Sequence, residues 1–307
     1  GGRTPQTVGD LVCPKRTVMV RAVSTLADVV DLLMLHDRSS AAVVGDEGEM
    51  LGVLTENDIA CAYSKGALAR GTVGDWLRDN EGRSAEDALK VPPVKASTTL
   101  LEAAAVMREH ATEETTVRHL VVRDDDGGLV GVLSALDLAR ALCGASPEAE
   151  IARRLGTSTA ADIMKPSDAV PVCGSSATLL QVLEQMEASH QNCVLIADGE
   201  LAVCNVLGVV TPRDALQAFV EHVPTSLEVG HWLKGVGSDW EPRAVEWDER
   251  VQDCAARMAD RALHHLVVVS TSGVAGILSS TDLAQAIGAT DDDAGCVPRT
   301  VGDLVCP

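Results

Sequence analysis

Aromatic side chains are almost missing from this chain of 307 residues, which has one Phe, one Tyr and four Trp. Platforms on which successive bases could stack are therefore scarce. Positive charge is also short: 25 Lys and Arg stand against 45 Asp and Glu, for a formal net charge of −20. A surface that acidic repels phosphate backbones, so no nucleic-acid partner is expected. No apolar run approaches the roughly 20 residues that a membrane-spanning helix needs. There is no CxxC, no HExxH, no nucleophile elbow and no Gly-rich phosphate loop, so the common sequence signals of zinc sites, hydrolases and nucleotide hydrolysis are lacking. The nine Cys are odd in number and lack metal-type spacing. Cys193 and Cys204 in apolar stretches and Cys254 in a helical pattern read as small buried hydrophobes in a reducing compartment. The expectation is a chain that is not an enzyme and has no catalytic residue or metal ligand.

What the chain does have is a repeat. Gly52-Val-Leu-Thr55-Glu-Asn-Asp58 returns as Gly131-Val-Leu-Ser134-Ala-Leu-Asp137, as Gly208-Val-Val-Thr211-Pro-Arg-Asp214 and as Gly276-Ile-Leu-Ser279-Ser-Thr-Asp282. Self-similarity at such a spacing marks an array of small units. Around each motif the order of elements is the same. A short opening segment comes first, then a β-prone stretch (residues 17–21, 91–96, 169–172 and 243–246) and a helix. Two apolar strands joined by a Gly-rich hairpin follow, and a second helix starts at the motif. Thr25-x-x-Asp28, Thr99-x-x-Glu102 and Thr178-x-x-Gln181 have capping-box form. The fourth unit has Arg250 at that place, and Asp248 is expected to cap instead. The fold expected is α+β or α/β: β-α-β-β-α units, each a three-stranded sheet with two helices. A unit of about 60 residues is marginal alone, so units should pair and share a core.

The units alternate. The second and fourth open on Trp76-Leu77-Arg78 and Trp232-Leu233-Lys234 and carry a basic pair before the first hairpin strand, Arg118-His119 and His264-His265. The corresponding residues of the first and third units are read as Ser40-Ala41 and Asn192-Cys193. A duplicated pair of units accounts for this alternation. The boundaries expected are repeats at 7–70, 72–143, 159–223 and 226–288, a linker at 144–158, a polar insertion at 79–89, and a tail at 289–307. Residues 300–307 repeat residues 7–14 without a change, which reads as the opening of a further repeat in a longer array.

This order of elements, ending on Gly-apolar-apolar-(Ser/Thr)-x-x-Asp, resembles the CBS domain, whose repeats work as tandem pairs called Bateman modules. The resemblance covers nearly the whole chain and implies four repeats in two pseudo-twofold modules. It further implies adenosyl ligands, AMP, ADP, ATP or a related compound, in the clefts between paired repeats. Asp58, Asp137, Asp214 and Asp282 would then accept hydrogen bonds from ribose hydroxyls. Thr55, Ser134, Thr211 and Ser279 would contact ribose or phosphate at a helix N-terminus, where free N–H groups favour anions. Arg118, His119, His264 and His265 would face phosphate. The same Thr-x-x-Asp pattern is also a plain helix cap, stabilising by about 0.5–2 kcal/mol without any ligand.

Charge placement ranks the modules at this stage. Arg21 and Lys95 follow the first strands of units one and two, while unit four has Glu246 there and unit three supplies Arg213 from its motif. The first module is therefore expected to bind the more highly phosphorylated ligand. No cofactor is required, although the acidic surface could attract Mg²⁺ to a bound nucleotide. The partners expected are an adenosyl small molecule and either self-associating modules or an effector protein. The competing expectation is a ligand-free assembly scaffold, or part of a regulated channel, transporter or kinase complex. A cytoplasmic location is expected, with organellar targeting left open by the absent starting Met.

Overall fold

The computed structural model describes residues 7–12, 17–68, 71–79, 91–111, 116–142, 155–199, 201–235 and 243–289. The polar insertion beyond residue 79, the linker up to residue 154 and the tail beyond residue 289 lie outside the described residues.

Each repeat has the expected order of elements. Repeat 1 is preceded by α1 (Val8–Leu11) and runs β1 (Val18–Arg21), α2 (Leu26–His36), β2 (Ser40–Val44), β3 (Met50–Thr55), α3 (Glu56–Ser64). Repeat 2 is preceded by α4 (Val73–Asp79) and runs β4 (Pro93–Lys95), α5 (Leu100–Glu109), β5 (His119–Arg123), β6 (Leu129–Ser134), α6 (Ala135–Leu142). Repeat 3 follows α7 (Ala160–Ile163) and β7 (Lys165–Pro166), with β8 (Val172–Cys173), α8 (Leu179–Ala188), β9 (Val194–Ala197), β10 (Val206–Val210), α9 (Pro212–Val220). Repeat 4 follows α10 (Val229–Gly235), with β11 (Ala244–Glu246), α11 (Val251–Arg261), β12 (His265–Ser270), β13 (Gly273–Ser279), α12 (Ser280–Gly288). In every sheet the first strand is parallel to the second, and the second is antiparallel to the third. The apolar middle strands are buried at their centres, as continuous Val/Leu/Ile runs require. Gly48 and Gly127 turn two hairpins at φ +82° and +86°, a region open to Gly at no steric cost.

The predicted boxes Thr25/Asp28, Thr99/Glu102 and Thr178/Gln181 all cap their helices. The fourth expectation fails. The N-cap of α11 is Arg250, with no side-chain cap bond. Its first orphan N–H, on Val251, is satisfied instead by the Ser158 carbonyl of a distant segment.

That detail is one case of a general exchange. The opening of each repeat docks on the other repeat of its pair. Val8 and Gly9 donate to Thr98 and Ala96 of repeat 2, and Val73 and Gly74 donate to Ser24 and Ala22 of repeat 1. Ala160 and Ala161 donate to Glu249 and Trp247 of repeat 4, while Val229 and Gly230 donate to Ala177 and Ser175 of repeat 3. Trp76 is thereby buried in the core of repeat 1 and Trp232 in the core of repeat 3. The Trp alternation seen in the sequence is a property of the odd-numbered cores, filled from the even-numbered openings.

Sheets and helices join the repeats in different directions. The sheets of repeats 3 and 4 share one apolar cluster, and β2 meets β6 between repeats 1 and 2. Helices join across the pairs: α3 packs on α8 and α9, and α6 and α12 pack with α11 and α5. The chain's single Tyr and single Phe meet at the first of these seams, Tyr63 edge-on to Phe219 with ring centroids 5.6 Å apart. The second seam closes on Gly288. A Cβ there would lie 2.5 Å from the Ala104 carbonyl oxygen and 2.8 Å from the Ala105 nitrogen, both backbone atoms of α5. Gly288→Val is therefore expected to cost about 1–3 kcal/mol by overpacking, read as a lower urea midpoint. An unchanged midpoint would show that α12 does not approach α5 this closely.

Candidate functional site

The four helices that follow the motifs converge. Their N-termini face a central cavity of about 340 Å³ lined by residues of all four repeats, Thr55, Ser134, Thr211 and Ser279 among them. Each motif forms a complete capping box. The hydroxyls donate to the Asp Oδ2 at 2.6 Å (Thr55), 2.7 Å (Ser134), 2.5 Å (Thr211) and 2.6 Å (Ser279). In return the Asp58, Asp137, Asp214 and Asp282 N–H groups donate to the hydroxyls. The capping reading therefore holds in all four copies. It engages Oδ2 each time and does not by itself use Oδ1.

The four Asp differ in what else they meet. Asp137 Oδ1 lies 3.5 Å from Arg140 and 3.8 Å from Arg38. Asp214 Oδ1 lies 3.2 Å from Arg243. Asp58 is buried. Burial pushes the Asp282 carboxyl above the usual carboxylate range, against the cap bonds from Ser279 and the charges of Lys165 and Arg118, which lower it.

Strand register revises one alignment. His119 pairs with Ser134 and His265 with Ser279, as Ser40 pairs with Thr55. The residues equivalent to Arg118-His119 are therefore Ser39-Ser40, one position before the Ser40-Ala41 read from sequence. Ser39, Arg118, Asn192 and His264 then form a quartet, one from each repeat, and all four line the cavity. His119 Nε2 is 3.1 Å from the Ser39 hydroxyl, and Ser280 Oγ is 3.4 Å from His264 Nδ1. His265 Nδ1 is buried without a hydrogen-bond partner.

The basic residues do not divide by module. The charge of Asp282 in repeat 4 acts on Arg118 of repeat 2, and that of Asp137 in repeat 2 acts on His264 of repeat 4, with which it lines a second, smaller pocket. Desolvation lowers the Arg118 guanidinium to about 10, still cationic at neutral pH. Desolvation, followed by the neighbouring charges of His264 and Arg118, brings His119 down to about 3. Desolvation likewise brings His264 to about 4, against the Asp137 charge, and His265 well below the ordinary imidazole value. Arg21, Lys95 and Glu246 are exposed and none of them lines the cavity. The count that ranked the first module above the second therefore does not describe the cavity, where both modules contribute charge.

Arg213 lines the cavity but is engaged as a bridge between repeats 3 and 1. It donates to the Arg38 carbonyl at 3.2 Å, to Glu56 at 3.0 Å and to Asp37 at 2.8 Å. Sequence reading missed Arg38, Glu56 and Arg243, because each owes its place to a contact between repeats. Among the described residues no group of three or more His, Cys, Asp and Glu could hold a metal ion, and no helix is long and apolar enough to cross a membrane.

Comparison with known proteins agrees with this architecture. The CBS domain model matches residues 8–65, 87–144, 160–221 and 248–289, well over half of the chain. The chain belongs to the CBS domain family and holds four CBS repeats. Among solved structures, it is similar to protein MJ1225 of Methanocaldococcus jannaschii, a proposed archaeal homologue of g-AMPK. That match has 15% identity and a TM-score of 0.64, and covers 91% of this chain and 99% of the other. An uncharacterized conserved protein from Pyrococcus horikoshii matches with 19% identity and a TM-score of 0.52, covering 88% of this chain and 95% of that one. No curated protein sequence matches the chain significantly.

Proposed function

We propose that this chain is a regulatory sensor that binds phosphorylated adenosyl compounds, with their phosphates turned into the central cavity and their ribose hydroxyls on the motif Asp Oδ1 atoms. One observation carries the reading: four helix N-termini, the Arg118 guanidinium and three neutral imidazoles meet in one cavity. Helix dipoles and a desolvated cation favour an anion there. The unpartnered His265 Nδ1 supplies a further polar atom for it. Because residues from every repeat line the cavity, an anion would bridge both helix seams. Its differential affinity for one arrangement of the repeats would couple binding to an effector.

Calorimetric titration of the full chain with adenosine, AMP, ADP and ATP tests this. AMP is expected to bind at least tenfold more tightly than adenosine, the scale of one charge-assisted hydrogen bond. Equal affinities, or no thermal shift with any adenosyl compound, would leave the scaffold reading in its place. That second reading has its own support in repeat 3, where Arg213 and Asp214 already have protein partners.

A further inference from the structure

We infer that Arg243 is a built-in occupant of the repeat-3 cleft, standing on Asp214 where the ribose of a nucleoside would stand, so that this cleft is closed to ligand. The inference rests on the ribose role proposed above for the motif Asp. Arg243 Nη2 donates to Asp214 Oδ1 at 3.2 Å and Nη1 approaches Oδ2 at 3.5 Å. Nη1 also donates to the Val209 carbonyl at 3.3 Å, on the strand that leads into the motif. The guanidinium is thus held by the carboxylate and by the backbone of the same motif. A vicinal diol offers two O–H donors on neighbouring atoms. A guanidinium offers two N–H donors in a similar fork, with a full positive charge added. Both need the outer oxygen of Asp214, because the capping box already engages Oδ2.

Register makes the arrangement particular to one cleft. Ala244 pairs with Val267 as Pro93 pairs with Val121, Val172 with Leu195 and Met19 with Ala42. The residues at the position of Arg243 are therefore Pro92, Pro171 and Val18 in the other repeats, and none of those side chains carries a hydrogen-bond donor. The Arg243 side chain is 25% exposed and lines the central cavity. It can therefore swing into the cavity only by giving up Asp214. Asp137 also has Arg neighbours, Arg38 and Arg140, but at 3.8 and 3.5 Å, and no hydrogen bond from either reaches its carboxylate among the described residues. Four equivalent motifs thus yield at most three clefts open at rest, and Arg243 determines which one is closed.

Two measurements on the full chain decide it. The first is the number of AMP sites in wild type and in Arg243→Ala, by calorimetry. The variant is expected to gain one site. An unchanged number, including none in either protein, overturns the inference. So does loss of an existing site, which would make Arg243 a phosphate ligand. A wild type without AMP sites beside a variant with one would support the inference while removing the proposal that the native clefts are occupied. The second is a double-mutant cycle of Arg243→Ala and Asp214→Asn on the urea midpoint, read without ligand. Non-additive shifts are expected, because the two groups share a contact. Strict additivity means that the pair does not form in solution, and the inference falls whatever the chain binds.

Discussion

Without ligand, the chain is expected to lose stability steeply between about pH 6.5 and about pH 5, well above the range in which most proteins acidify. The cause is the imidazole cluster. His119 lies near 3, His264 near 4 and His265 well below its ordinary value, all through desolvation. Their folded values are depressed, so the unfolded chain takes up protons first as the pH falls. Above the unfolded value of about 6.5 both states are neutral and nothing is lost. Below it, each uncompensated imidazole costs about 1.4 kcal/mol per pH unit until its folded value is reached.

Two carboxyls act in the opposite direction. Burial raises Glu56 to about 7, against the charge and hydrogen bond of Arg213, and burial also raises Asp282. These groups protonate first in the folded state, so they add stability as the pH falls toward the ordinary carboxylate value. Three imidazoles outweigh the two carboxyls, because each group changes stability by the same amount per pH unit and three lose more than two add. The urea midpoint should therefore drop between about pH 6.5 and about pH 5, and His119→Gln with His264→Gln should flatten the slope. A midpoint that stays level or rises would show that the rings are not desolvated. A phosphate in the cavity would raise the imidazole values, so AMP should protect most strongly at the acid end.

The second large effect concerns Arg118. Arg118→Gln should weaken AMP binding by about 10- to 100-fold, the cost of one or two charge-assisted hydrogen bonds in a desolvated site. Adenosine binding should hardly change. Both modules should suffer, because Arg118 belongs to repeat 2 yet lines a cavity shared by all four repeats. Truncating it also removes one of the two cations, Lys165 and Arg118, that hold the Asp282 carboxyl down, so burial should raise that carboxyl further in the variant. If AMP and adenosine affinities fell together, Arg118 would be holding the fold and not the phosphate.

Much of this was legible in the chain. The spacing of four Gly-apolar-apolar-(Ser/Thr)-x-x-Asp motifs gave the repeat number, and runs such as residues 194–196 and 266–269 gave the buried middle strands. Local chemistry suffices for these features: a cap needs a hydroxyl and an acceptor three residues apart, and a middle strand needs apolar side chains on both faces. The same locality explains the failure at Asp248. The α11 cap is supplied by Ser158, nearly a hundred residues earlier in the chain and visible to no short-range pattern. Register likewise moved Ser39, and not Ser40, into the quartet around the cavity.

The sequence by itself determined the unit: its elements, its caps, its basic pair in every second copy, and a formal net charge of −20. Only the tertiary structure decided what the units do to one another. It exchanged their openings, carried Arg118 and His264 across to the opposite module, and set Arg243 on Asp214. The physical reason is that helices and strands form from neighbours within a few residues, whereas a charge is placed by whichever surfaces pack around it. Four nearly identical motifs can thus stand in four different electrostatic settings.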